Sequence, residues 1–179
     1  MEITFSRRLF FIILLLLLIA TTAALLIPRL TGKSLVQAVG LDTGQSAALA
    51  GVQAFYAVDY TTGPDRWAAR LCALSTQMVC ELYQNTFAPF LWTKFITAKT
   101  IVTAEVTNPI LVAEPAAGGG SDAPMQIWQV AVTLSAPWPQ GDGQTSFPAH
   151  VLVVREGEQW KFERFLLKDE LARYSGGEQ

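Results

Sequence analysis

The chain has 179 residues, with 13 Lys and Arg set against 15 Asp and Glu and one histidine, for a net charge of −2. Residues 1–33 hold four of the basic residues and one of the acidic ones, so the remainder carries 9 against 14, a net of −5. That balance excludes the basic face a nucleic-acid binder needs, and one histidine leaves no His-rich metal set.

Residues 1–8 form a short tail ending in Arg7 and Arg8, followed by 19 uncharged residues from Leu9 to Ile27. As a helix this run is about 28 Å long, close to the thickness of a bilayer's hydrocarbon core. The stretch ATTAA, Ala20 to Ala24, is the competing reading, a cleavage site after an export signal. Leu25, Leu26 and Ile27 carry the apolar run past it, whereas a signal's apolar region is shorter, so a retained transmembrane helix over 9–27 is expected. The pair Arg7 and Arg8 resembles a twin-arginine signal only superficially, since the five consecutive leucines that follow are too hydrophobic for one. No cysteine follows closely enough to accept a lipid. Arg7, Arg8 and the terminal amine outweigh Arg29 and Lys33 narrowly, which puts the tail inside and the following domain outside the cytoplasm.

Residues 28–46 read as a linker interrupted by Gly32, Gly40 and Gly44. Residues 47–168 then supply one domain, enough to bury a single core, and 169–179 a C-terminal tail. Leu49, Val52, Phe55, Tyr56 and Tyr60 recur in steps of three and four, which predicts a first helix running to Gly63. Pro64 and Asp65 suit the first turn of a second, carrying Trp67, Leu71 and Leu74. Ser75 and Thr76 are cap candidates for a third, in which Val79, Leu82, Tyr83 and Phe87 form the apolar side up to a break at Pro89. A short fourth helix or a kink follows in PFLWTKF.

From Lys99 the period becomes that of strands. KTIVTAEVTNPILVAE is rich in β-branched residues, with Pro109 where a bulge or an edge tolerates it. The patch 114–124, EPAAGGGSDAP, reads as a flexible loop without the lysine of a phosphate-binding loop. In MQIWQVAVTLSAPW, Trp128, Val130, Val132 and Leu134 fall on one face and Gln129, Ala131 and Thr133 on the other. AHVLVVREGEQWKFERFLL reads as a hairpin turning at Glu156 and Gly157, with Trp160 and Phe162 on one side. Trp138 stands exposed among turn residues, which marks either a contact surface or a packed corner. The order of elements predicts an α+β domain of about three helices packed on a curved, mostly antiparallel, four-stranded sheet.

The segment AALAGVQAFYAVDYTTGPDRWAARL, long strands, and a closing VVREGEQWKFERFLL together resemble the cone-shaped fold named after nuclear transport factor 2, also called cystatin-like. With one membrane helix in front, the plan is similar to the bitopic scaffold component of bacterial type IV secretion and conjugation systems. It is also similar to the membrane accessories of lipid-import complexes. The first resemblance implies a non-enzymatic, membrane-anchored assembly component whose partners are the membrane and other proteins of a complex, with self-association left open and no nucleic acid. The second is the alternative.

A third alternative is an enzyme using the cone's cavity. Some enzymes of this fold use an Asp or His base with a tyrosine, and Asp59 with Tyr56 and Tyr60, or His150, are the residues such a site would draw on. His150 alternates with Leu152 and Val154 on a strand, and Asp59 precedes a turn, where Asp is ordinary. The expectation is therefore no catalytic, cofactor-binding or metal residue, and no cofactor. Cys72 and Cys80 remain open. Along one continuous helix they would stand about 12 Å apart, too far for a disulfide, but a turn at Ser75 and Thr76 would allow one. Two small buried hydrophobes are the other reading.

Overall fold

The computed structural model describes residues 43–115, 123–139 and 141–175. The described residues all lie in one compact unit, Gly40–Gln179. The tail 1–8, the expected membrane helix 9–27, nearly all of the linker and most of the glycine-rich patch lie outside the described residues. Among the described residues no helix is long and apolar enough to cross a membrane.

Helix α1 spans Gly44–Tyr56, and the Thr43 side chain caps it by accepting from the Ser46 N–H at 3.2 Å. The helix thus begins inside the expected linker. It also stops sooner than the apolar spacing predicts. Ala57 turns extended, and Val58–Asp59 form β1, antiparallel to β2 at Ile101–Val102. Two side chains of the next helix take carbonyls at this end: Trp67 Nε1 donates to Phe55 O at 3.1 Å and Arg70 to Ala57 O at 2.6 Å. Asp59 consequently lies in a strand and caps a 3₁₀ turn, Tyr60–Thr62, and does not end a helix.

Gly63, with φ of 88°, reverses the chain ahead of Pro64 at the start of α2, Pro64–Leu74. Helix α3 covers Gln77–Leu82 and α4 covers Ala88–Thr97, joined by a π turn over Tyr83–Phe87. The short fourth helix expected around Pro89 is α4, but a π turn and not a break leads into it. The wider turn places this proline in the first turn of α4, where its missing N–H costs no intrahelical bond.

Strands β3 (Ala104–Ala113), β4 (Met125–Leu134), β5 (Ser146–Glu156) and β6 (Gln159–Phe165) form an antiparallel sheet in that order. The domain is thus α+β. Gly157, at φ of 61°, makes the tight β5–β6 turn. Asn108 is left-handed at φ of 51°, and the β3–β4 register shifts between Thr107 and Ile110, so Pro109 sits in a bulge on an edge strand.

Helix α1 packs across all four strands of this sheet. Its buried positions are small, namely Gly44, Ala47, Ala48, Gly51 and Val52, and a Cβ on Gly51 would collide with the Phe162 ring. The main core beneath the helices combines Trp67, Leu71 and Phe95 with Val130, Val132, Val151, Val153 and Phe162, all fully buried. The opposite sheet face holds a smaller cluster, Ile127, Leu152 and Leu166, against Leu171 and Tyr174. Those last two belong to α5, Lys168–Ser175, a helix where a tail from residue 169 was expected.

Candidate interaction surface

The α2–α3 corner is the most heavily tied part of the helical layer. Cys72 and Cys80 form a disulfide across it, with their Cα atoms 4.5 Å apart. Ser75, extended at the end of α2, makes the turn that brings them together. The Thr76 N–H donates to Phe162 O at 3.4 Å, and its hydroxyl donates to Glu163 Oε2 at 2.6 Å, so the corner is also bound to β6.

From this corner α3, the π turn and α4 run on as a rod with two unlike sides. Val79, Tyr83, Leu91, Trp92 and Phe95 are buried. Met78, Leu82, Phe87 and Phe90 face solvent, at 63%, 45%, 43% and 60% exposure. Their spacing of four, five and three keeps them on one side, because the step of five crosses the π turn, whose period exceeds that of an α-helix. Lys94 lies over the Phe90 ring at 4.5 Å, so the stripe's end is partly screened by a cation. A second apolar stretch, Ile110, Leu111 and Val112, is exposed on edge strand β3 beyond the bulge.

The periodicity that predicts Val79, Leu82, Tyr83 and Phe87 as one buried side is half right. Val79 and Tyr83 are buried; Leu82 and Phe87 are not. A strict 3.6-residue phase cannot survive the π turn, and nothing local announces that turn except Pro89 two residues after its end. Of the two readings of Trp138 the packed corner holds, without the exposure expected. The residue is 9% exposed, stacked on Phe55 with centroids 5.7 Å apart and edge-on to Tyr56 and Phe95.

The residues on which a catalytic reading rests are each engaged with other partners. The Asp59 carboxylate accepts from both the N–H of Thr61 at 2.9 Å and its hydroxyl at 2.6 Å. These bonds hold its pKa below the usual carboxylate value, the reverse of what a general base at neutral pH requires. Tyr56, whose pKa burial raises, packs among Phe55, Trp138, Phe147 and Phe165. His150 pairs through Nε2 with Gln129 Oε1 at 3.1 Å across β4 and β5, and partial burial lowers its pKa. Among the described residues, no group of three His, Cys, Asp or Glu is placed to hold a metal.

No protein-family model matches the chain, and no curated protein matches it. Among solved structures, it is similar to one described as a periplasmic fragment of TraM, at 12% identity and a TM-score of 0.49, over 68% of this chain and 91% of that one. A likeness of that depth says nothing of what this chain does.

Proposed function

We propose that the chain is a single-pass, membrane-anchored assembly component without catalytic activity, belonging to a bacterial type IV secretion or conjugative transfer apparatus. In this reading its domain, of the nuclear transport factor 2-like kind, works outside the cytoplasm. The observation that carries it is the solvent-facing stripe of Met78, Leu82, Phe87 and Phe90 on a rod braced by a disulfide. Four large apolar side chains on one side of a helix pair are costly to leave in water, and a rigid platform loses little entropy on docking. The 19-residue apolar run from Leu9 to Ile27 supplies the anchor, and the disulfide suits an oxidising compartment.

The test combines topology with assembly. A reporter active only outside the cytoplasm, fused after Gln179, is expected to be active. Phe90→Asp in the full chain is expected to abolish co-purification of the other membrane components of the apparatus, with the melting temperature unchanged. An inactive reporter, or intact co-purification of those components, would overturn the reading.

A further inference from the structure

What covers the exposed stripe of the α3–α4 rod can be read from its spacing and its charges. Met78 and Leu82 on α3 precede the middle of the rod, and Phe87 and Phe90 follow it. The outer pair, Met78 and Phe90, is centred on Gln84, and the inner pair, Leu82 and Phe87, between Gln84 and Asn85. A half-turn about an axis through that centre lays the stripe on its own copy, so that Met78 meets Phe90 and Leu82 meets Phe87. A two-fold interface demands this self-matching, because a residue i that touches j must be answered by j touching i. Thioether against ring is also a favourable contact. At the centre stand Gln84, Asn85 and Thr86, exposed and uncharged. A side-chain amide both donates and accepts, so each can pair with a copy of itself.

Charge points the same way. From Leu82 to Thr93 the sequence carries no charged residue, with Glu81 just before the run and Lys94 just after it. Both of these are exposed. Beyond residue 33 the chain has a net charge of −5 and repels its own copy, so two copies can meet only on neutral or mutually compensating surface. The rod supplies both. Lys94 reaches back over the Phe90 ring, with Nζ 4.5 Å from the centroid. In the self-matched arrangement Phe90 packs on Met78 of the other copy, and Glu81 lies about one turn along from that methionine. Each ammonium is thus brought toward the other copy's carboxylate. Glu81 Oε1 accepts from Gln77 Nε2 at 3.3 Å, which leaves the carboxylate most of its accepting capacity. Within one chain the two charges cannot pair, because residues 81 and 94 stand roughly 20 Å apart along the rod. A basic partner, which the overall charge invites, would find a single carboxylate beside this stripe and an ammonium on it.

We propose that the stripe is covered by a second copy of this chain, docked antiparallel through α3, the π turn and α4 about a two-fold axis at Gln84 and Asn85. The inference rests on the assembly reading's claim that the stripe is a docking surface, and it names the occupant. With four large side chains from each copy the contact belongs to the small, transient class, below about 1,200 Å², and its dissociation constant is micromolar.

The experiment measures self-association of the full chain by sedimentation equilibrium, in neutral micelles matched in density to the solvent. The parent is expected to dimerise. Glu81→Lys and Lys94→Glu leave the four apolar side chains in place, and each is expected to weaken the dimer about tenfold, since the two-fold axis repeats every charge contact. Mixed in equal amounts, the two variants are expected to associate with each other as tightly as the parent does with itself. In that mixed pair one contact keeps its native charges and the other has both charges reversed. Phe90→Asp is expected to leave the chain monomeric. A parent still monomeric on the order of 0.1 mM, far above a micromolar constant, would overturn the proposal. So would a mixture that associates no better than either charge variant alone, or a dimer that persists in Phe90→Asp and so runs through another surface. A monomeric parent in which Phe90→Asp still abolishes co-purification would overturn this inference alone, and the assembly reading would stand with a different protein on the stripe.

Discussion

The two faces of the four-stranded sheet are built from the same strands and carry very different loads. Under the helices, Val130, Val132, Val151, Val153 and Phe162 are fully buried and meet Trp67, Leu71 and Phe95. On the reverse, Ile127, Leu152 and Leu166 make a patch sealed by the single short helix α5, and the same face carries the His150–Gln129 pair and the Arg164–Glu170 ion pair in partial contact with water. A face that buries whole aromatic rings determines global stability, because free energy of burial follows the area removed from water. A face that buries three aliphatic side chains under two turns of helix behaves as a local unit that opens alone.

The hardest way to break the inner face is Trp67→Ala. This ring is fully buried, contacts Phe55, Tyr83, Trp92 and Phe95, and also satisfies the last turn of α1 through its indole N–H. The expected loss is about 3–5 kcal/mol in urea titrations of the full chain in micelles. A loss below about 1 kcal/mol would mean that the core closes over the gap, a behaviour its packed rings argue against.

Next in size is the disulfide that braces the helical layer above that face. The cysteines are 8 residues apart in sequence, and closing a loop that short is worth about 2–3 kcal/mol through the unfolded chain. Cys72→Ser with Cys80→Ser should therefore lower the urea midpoint by an intermediate amount. Reductant should lower the parent to the same value and leave the double variant unmoved.

The outer face is probed by Leu171→Ala, which truncates a half-buried contact of α5. About 1 kcal/mol is expected, and it should appear chiefly as faster amide exchange in α5, with exchange in β4 unchanged. Equal acceleration in β4 would mean that the two faces unfold together and that the contrast between them is false.

The inner face is also the more legible of the two. The alternation of Val130, Val132 and Leu134 marks their burial directly, Gly157 marks its turn, and Pro109 its bulge. Each of these is set by a residue's own backbone or by its immediate neighbours. What was not legible depends on distant partners. The end of α1 is decided by Ile101 and Val102, more than forty residues on, and the burial of Trp138 by rings of α1 and α4. Helix α5 displays only Leu171 and Tyr174 as an apolar side, too short a pattern to separate a helix from a tail. The exposed stripe was hidden for another reason, since its phase is set by a π turn whose one local signal is Pro89. The catalytic alternative drew on Asp59 and His150 because both residue types are apt for it. Asp59 beside a turn and His150 on a strand were legible from their neighbours; the structure adds the Thr61 bonds of the first and the outer-face Gln129 pair of the second.

The smallest effect sharpens the outer face by pH. Glu170 sits at the third position of α5, where its Oε2 accepts from the Leu167 N–H at 3.1 Å while Oε1 pairs with Arg164 at 2.5 Å. This is half of a capping box, with the glutamate reaching back to the residue before the helix. The backbone donor first, and the guanidinium second, hold the Glu170 carboxyl below its ordinary 4.5. A folded pKa that is depressed contributes stability above the unfolded value and loses it as pH falls through the folded one. The contribution should therefore be complete at neutral pH, begin to fade below about 4.5, and vanish once the folded carboxyl is protonated. Because the group is partly open to water, the loss should not unfold the domain, and it should read out as rising amide exchange in α5 as the pH falls below about 4.5, corrected for the intrinsic rate. Glu170→Gln should show the raised exchange already at neutral pH and no further change on acidification. If the variant keeps the acid-side rise, the sensitivity belongs to another carboxylate, and α5 is held to the sheet by Leu171 and Tyr174 alone.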